Sequence, residues 1–381
     1  MNHPHKIIIA GAGGIARAAG LILMEWSKVP PSLYIGNRTL SRARDVANWI
    51  QEGTSKKCEV QSFSLSPGEV TTEMEEIFQK SDIILDCLPG GLAPEIAAMA
   101  LDYNLHYVNL TEYVSETNEI IEMAKNAQTG FALQTGLAPG YINILAHSLY
   151  RDFCKDFDVE VAGKLEFKVG ALTRHAVAPH FYGFTWSPVG VATEYLNDAV
   201  VIRNFRKTKL PALSERAIII IDGITYEEDL TSGGAADLPD ALEGKVNTLD
   251  YKTLRHPGHY SWVDEQIKKS GNEKAAVKSL QEKMQEVIPN IEDDQIVLYA
   301  AVEGKDAQGI LRRREISKRI LPQYVGKHLL RAIQTTTAVP MLQTAQMLLE
   351  EGRKGIILQS EIDPVKFLEG NFIKRVYGGN K

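Results

Sequence analysis

The residues best suited to chemistry lie at the start of the chain. Gly11, Gly13, Gly14 and Ala16 follow the uninterrupted apolar run Ile7-Ile8-Ile9-Ala10 and precede an Ala-rich apolar segment. That spacing turns a buried strand into a helix around a pyrophosphate. Gly11 permits the tight turn, Gly13 lets the backbone approach phosphate, and the N–H groups of Gly14 and Ile15 at the helix start receive its charge. The next apolar run, Leu33-Tyr34-Ile35-Gly36, ends in Asn37-Arg38, with Arg42 and Arg44 soon after. An NAD site places Asp or Glu at this point, whereas a 2′-phosphate calls for a cation and no neighbouring carboxylate. Asn37 and Arg38 therefore predict NADP, with NAD as the alternative. A third run, Ile83-Ile84-Leu85-Asp86-Cys87-Leu88, stops at Pro89-Gly90-Gly91. Leu88 and Pro89 are thereby expected beside nucleotide at the carboxyl edge of a parallel sheet. Tyr113 follows the strand His106-Tyr107-Val108-Asn109-Leu110 at that edge and is a candidate for proton handling.

Alternating strands and helices must hold these residues, so the sequence reads as one doubly wound unit over residues 1–140. A third strand is expected at Cys58-Glu59-Val60 and a turn at Ser66-Pro67-Gly68. The pattern changes after Gly136-Leu137-Ala138-Pro139-Gly140. A helix over 142–150 leads into longer alternating segments at 159–169, 217–221 and 297–303, which predict a second α+β domain over 141–334. The charged stretch 263–287 reads as one solvated helix. Residues 335–381, Ala- and Leu-rich at first, are expected to pack back on the nucleotide domain.

Composition excludes several classes of partner. The 381 residues carry 44% hydrophobic side chains and a formal net charge of −6, which argues against nucleic acid or an anionic membrane surface. No apolar run approaches the length of a membrane span. Cys58, Cys87 and Cys154 are too few and scattered for a disulfide framework, which fits a reducing cytoplasm. His256 and His259 flank Pro257-Gly258, but no third ligand stands at supporting spacing, so no metal is expected.

The quoted motifs resemble those of the saccharopine dehydrogenase and reductase family, including its lysine 6-dehydrogenase-like and carboxynorspermidine synthase-like branches. Thr111-Glu112-Tyr113 resembles the family's Thr-Ser-Tyr, and Gly136-Leu137-Ala138-Pro139-Gly140 its Gly-Leu-Asp-Pro-Gly. Val169-Gly170-Ala171-Leu172-Thr173 followed by Phe184-Thr185-Trp186-Ser187-Pro188-Val189-Gly190 resembles its Gly-Gly-Leu-Pro run and Phe-Ser-Trp-Ser-Pro-Arg-Gly. The resemblance implies an α/β protein: a Rossmann nucleotide-binding domain, completed by the C-terminal segment, with an inserted α+β substrate and dimerisation domain. It also implies a homodimer and hydride transfer between NAD(P) and a carbon–nitrogen bond of an amino-acid-derived amine or imine. Two departures stand out. Val189 replaces an arginine that often holds a substrate carboxylate, and Ala138 replaces an aspartate. Valine cannot grip a carboxylate. Arg174, His175 and, less directly, Lys168 are the compensating candidates for an anionic, amino-acid-like substrate, with His175 also suited to proton transfer. The alternatives are a lysine 6-dehydrogenase-like deaminating enzyme using NAD and a non-catalytic NADP-binding scaffold.

Overall fold

The computed structural model describes residues 4–57, 59–66, 68, 70–270 and 276–378, so Cys58 and the Pro67 position of the expected turn lie outside it. The described chain divides into two compact units. The first holds residues up to Tyr141 together with Gln323–Leu330 and Gln334–Lys381, and the second holds Ile142–Pro322 with Arg331–Ile333.

In the first unit, strands β1 (Lys6–Ala10), β2 (Ser32–Asn37), β3 (Glu59–Ser64), β4 (Ile83–Asp86), β5 (His106–Asn109) and β6 (Gly130–Ala132) form a parallel sheet, which Gly355–Ile357 joins alongside β6. The order across the sheet is Gly355–Ile357, β6, β5, β4, β1, β2, β3. Helices α1 (Gly14–Trp26), α2 (Leu40–Gly53), α3 (Thr72–Gln79), α4 (Ala93–Asp102) and α5 (Val114–Ala124) make the crossovers. The strands are short and apolar because both faces of a parallel sheet are covered. On one face, Ile8, Ile84 and Phe131 pack with Phe78, Ile96 and Ile120 from the helices. The order reverses next to β1, and in open α/β sheets that reversal makes a crevice at the strands' carboxyl ends.

The second unit is built on a mixed sheet of β7 (Ala162–Thr173), β8 (Ala199–Arg203), β9 (Arg206–Leu210), β10 (Ala217–Ile221), β11 (Ile224–Leu230), β12 (Val246–Arg255), β13 (Asp294–Lys305) and β14 (Leu311–Ile320). Its main path runs β10, β11, β12, β7, β13, β14, with β12 and β7 parallel and the other neighbours on that path antiparallel. Ser317 Oγ on β14 lies 3.0 Å from Asp222 Oδ1 at the tip of the β10–β11 hairpin. The sheet therefore curls until its margins approach, which shields Leu172, Leu254, Val297 and Tyr299 on its inner face. Helix α6 (Tyr141–Phe157) enters this unit, and α7 (Pro188–Glu194), α8 (Leu238–Ala241), α9 (His259–Ser270) and α10 (Ala276–Val287) follow.

The stretch 263–287 differs from expectation. It holds parts of two helices, with 271–275 outside the described residues, and Val263, Leu280 and Met284 are buried with Tyr182, Phe184 and Tyr260. Its charged residues hid an apolar stripe.

Candidate functional site

The carboxyl edge of the first unit's sheet is built by contacts that run from one strand end to the next. Gly11 has φ +119 and donates its N–H to Gly36 O at 2.7 Å, and a Cβ on it would meet Cys87 O at 3.0 Å. Only glycine suits that position. Gly13 caps α1 with an extended backbone and no side-chain cap bond, and the first turn carries no acid. The N–H groups of Gly14 and Ile15 are among those a helix start leaves without intrahelical partners. A Cβ on Gly13 would meet no protein atom within 4 Å, so the glycine keeps open a concave approach to these donors. These features fit a pyrophosphate. At the end of β2, Asn37 turns its amide toward Thr39 O at 3.4 Å, while Arg38 is exposed and has no ion-pair partner among the described residues.

Beyond β4, Asp86 shapes the next loop. Its buried carboxyl accepts the Leu88 N–H at 3.0 Å and the Tyr107 O–H at 2.7 Å, and burial pushes its pKa up to about 6 against those hydrogen bonds. Leu88 is thereby held at the edge, and Pro89 leads into the turn Gly90–Leu92. A Cβ on Gly90 would strike Thr111 Oγ1 at 2.3 Å and the Tyr113 ring at 2.8 Å, so Tyr113 lies against this turn. Burial, then Glu112 and Glu116, raise the Tyr113 pKa, which keeps it a neutral hydroxyl donor. Glu112 itself is half-buried, and burial followed by Glu116 raises its pKa. Sequence reading passed over Glu112. Its only signal was an acid in a Thr-Glu-Tyr that resembles Thr-Ser-Tyr.

In the second unit, Arg174 and His175 follow β7 and converge on one carboxylate. Arg174 Nη1 stands 3.0 Å from Asp293 Oδ1, and His175 Nε2 stands 3.4 Å from Asp293 Oδ2, with His175 79% exposed. Lys168 is unsuited to a ligand, because it is fully buried between Glu166 at 2.9 Å and Glu228 at 3.0 Å. Trp186 packs at the margin of the helical core, and Val189 lies exposed in the first turn of α7, which Ser187 caps through Gly190 N–H.

Both histidines of the His256-Pro257-Gly258-His259 turn hold the backbone of the segment that carries Arg174 and His175. His256 Nε2 lies 2.9 Å from Thr173 O, and His259 Nδ1 lies 2.6 Å from His180 O. A carbonyl can only accept, so His259 carries its proton on Nδ1 and its Nε2 accepts from Tyr195 O–H at 3.0 Å. The Tyr195 oxygen in turn accepts from Arg255 Nε at 2.6 Å, and Arg255 also pairs with Glu194 at 2.7 Å. Burial and then Arg255 press the His259 pKa down to about 3. The two histidines are structural fastenings of a loop, a role that His-x-x-His spacing does not announce.

A doubly wound parallel sheet with a glycine turn and an open helix start defines a dinucleotide-binding fold. Residues 7–135 match the saccharopine dehydrogenase NADP binding domain, and residues 136–370 match the saccharopine dehydrogenase C-terminal domain. The chain belongs to the saccharopine dehydrogenase family. Among curated proteins it resembles the mitochondrial alpha-aminoadipic semialdehyde synthase of Rattus norvegicus, 23% identical over 205 residues, which are 54% of this chain and 21% of that protein. The Bos taurus counterpart is 21% identical over 206 residues, with the same two coverages of 54% and 21%. The chain thus spans about a fifth of the length of the curated relatives it matches. Among solved structures, the fold is shared with apo saccharopine dehydrogenase (L-Glu forming) from Saccharomyces cerevisiae at TM-score 0.75 and 13% identity, over 96% of each chain. It is shared also with a homospermidine synthase from Legionella pneumophila in complex with NAD, at TM-score 0.68 and 14% identity, over 99% of this chain and 90% of that one.

Proposed function

We propose that the protein uses NADPH in preference to NADH for hydride transfer at a carbon–nitrogen bond of an amino-acid-derived amine or imine. The observation that carries the cofactor preference is the tip of β2, where Arg38 is exposed and without an ion-pair partner among the described residues, and no acid precedes it on the strand. The bound cofactor would supply or accept the hydride. The chain's own residues do the rest: Gly11, Gly13, Gly14, Ile15, Leu88 and Pro89 bind the nucleotide, Asn37 and Arg38 select the 2′-phosphate, and Tyr113 offers its neutral hydroxyl to a reacting nitrogen or water. Residues 1–140 and 335–381 would serve the nucleotide, and 141–334 the substrate.

Arg174 is the anchor for a substrate carboxylate in this reading, with His175 beside it for proton transfer. Its pair with Asp293 does not oppose that role. Side chains of Arg174 and Asp293 are 42% and 47% exposed, and an ion pair so open to water is worth about 0–1 kcal/mol, easily exchanged for a ligand's carboxylate. A spectrophotometric screen of amino acids, diamines and N-(carboxyalkyl) amino acids, in both directions and with both cofactors, tests the activity. On any substrate found, Arg174→Ala should lower kcat/KM by roughly a hundredfold, about 2.7 kcal/mol of transition-state binding. Asp293→Asn should lower KM by freeing the guanidinium. Kinetics indifferent to both substitutions would remove Arg174 from the site, and a clear preference for NADH would overturn the cofactor assignment.

A reducing cytoplasm suits the free Cys87 and Cys154. None of the described helices is long and apolar enough to cross a membrane. A homodimer belongs to the same proposal. Strand β10 is a sheet edge of five apolar residues, and Ile218 and Ile220 are 61% and 68% exposed on it. An uncharged edge of this kind favours pairing with another strand unless it is covered.

A further inference from the structure

Most arginines facing the second unit's sheet are neutralised by carboxylates. Arg203 meets Asp250 and Glu215, Arg216 meets Asp229 and Asp264, and Arg313 meets Glu166, Glu303 and Glu315. On either side of Arg313 on β14, Arg312 meets Asp306 and Arg314 meets Asp156. Two cations close together break this pattern. Arg151 on α6 and Lys245, in the turn before β12, line an open cleft of about 610 Å³ with His147, Tyr150, Val161 and Leu242. Lys245 Nζ reaches the carbonyl of Ala241 at 3.1 Å, and neither cation has an ion-pair partner among the described residues.

The cleft is built to hold these groups at one place. His147 and Arg151 are four residues apart on α6 and so share a face of the helix. Tyr150 O–H donates to the Glu160 carbonyl at 2.9 Å and fastens the turn that forms the opposite wall. Its hydroxyl proton is thereby spent on the wall. The Glu160 side chain is the one carboxylate of the lining, which leaves the cleft net positive. His147 has no hydrogen-bond partner among the described residues, and burial followed by the charges of Arg151 and Lys245 presses its pKa down to about 4. The imidazole therefore feels both cations, Arg151 on its own helix and Lys245 in the turn before β12. In a chain of net charge −6, such a concentration of unneutralised positive charge is most readily relieved by a multivalent anion.

We propose that this cleft is a second ligand site, lined by none of the residues assigned to the nucleotide, that takes a dianionic phosphoryl head group, as free phosphate or as a phosphomonoester whose body lies on Val161 and Leu242. Arg151 matches two phosphoryl oxygens with its planar fork, and Lys245 supplies the second charge. A bound dianion opposes the field of the two cations on His147, so the imidazole pKa rises and its neutral ring N–H becomes a third donor.

The test is a titration of the full chain with inorganic phosphate and with phenyl phosphate near neutral pH, read by calorimetry and by the imidazole resonances of His147. Arg151→Gln and Lys245→Gln are compared with wild type and with Arg38→Gln, which removes the other phosphate-binding candidate. Saturable binding should move the His147 resonances, raise its pKa by about a unit or more, and weaken roughly tenfold in each cleft variant while surviving Arg38→Gln. Tighter binding of phenyl phosphate assigns the site to a phosphomonoester, and equal binding assigns it to the free ion. Phosphate that leaves the His147 resonances unmoved, or that binds both cleft variants as well as wild type, overturns the proposal.

Discussion

Asp86 and His259 are buried groups whose environments favour their uncharged forms, with opposite consequences for stability against pH. The Asp86 pKa rises from 3.8 to about 6 on folding, because burial outweighs its hydrogen bonds to Leu88 and Tyr107. The folded state therefore holds this proton more tightly, and the group's contribution is greatest below about pH 4 and lost as pH rises through 6. The His259 pKa falls from 6.5 to about 3, so its contribution is fully present above pH 6.5 and lost on acidification. Asp86→Asn separates the two. The amide oxygen can still accept the Leu88 N–H, and the amide nitrogen can donate to the Tyr107 oxygen, whose proton then turns to the Ala93 carbonyl 3.2 Å away. Urea unfolding across pH should show the variant more stable than wild type above pH 6, by on the order of 3 kcal/mol at most, with the gain vanishing below about pH 4. A gain constant across pH would trace to packing instead. Gly13 gives a second test. Its φ of −88 is open to any residue and its Cβ direction is clear, so Gly13→Ala should fold with an unchanged melting temperature. The added methyl narrows the approach to the helix start, so calorimetric NADPH affinity should fall by roughly tenfold or more.

The His256–His259 turn makes a prediction about a whole loop. His259→Leu removes the acceptor of the Tyr195 O–H proton and the donor to the His180 carbonyl inside the core, while Arg255 still donates to the Tyr195 oxygen; each loss costs about 1–3 kcal/mol. Amide exchange should quicken over 174–181, while the sheet of the first unit keeps its protection; exchange unchanged in that loop would show that it is held by other contacts. This fastening also marks where the sequence stops being legible. Strand β1 and helix α1 could be read because an apolar run, a glycine turn and an apolar helix are local signals. Strand β7 could be read over 159–169, but the burial of Glu166 and Lys168 within it was not legible, since both look solvent-facing until β11 brings Glu228 beside them. The same holds for Arg174, whose partner Asp293 is 119 residues away. The 263–287 stretch misled because its charges mask the buried Val263, Leu280 and Met284. The turn at Gly11 and the strand end at Asn37 were legible from the pattern of apolar residues and glycines, whereas the contact of Tyr113 with Gly90 exists only in three dimensions.

At the scale of the molecule, the proposed homodimer predicts twice the 42.2 kDa chain mass in sedimentation equilibrium at low micromolar concentration. Ile220→Lys places a charge on the β10 edge and should give a folded species of single chain mass, and a dimer that withstands it would lie on another surface. The division of the chain has a further consequence, for synthesis. The first sheet receives Gly355–Ile357 beside β6 late in the sequence, Gln359 Nε2 closes on Leu133 O at 2.6 Å, and Tyr377 stacks on Tyr141 at 3.5 Å. A ribosome releases all the strands of the second unit before it has supplied these pieces, so the half that begins first is finished last. Until then β6 is a bare margin, and the nascent protein carries an exposed sheet edge for as long as the whole second unit takes to be made. A chain stopped after Lys354 should accordingly lose the nucleotide unit's melting transition and keep that of the second unit, whereas a single unaltered transition would show that the last strand adds nothing to the sheet it joins.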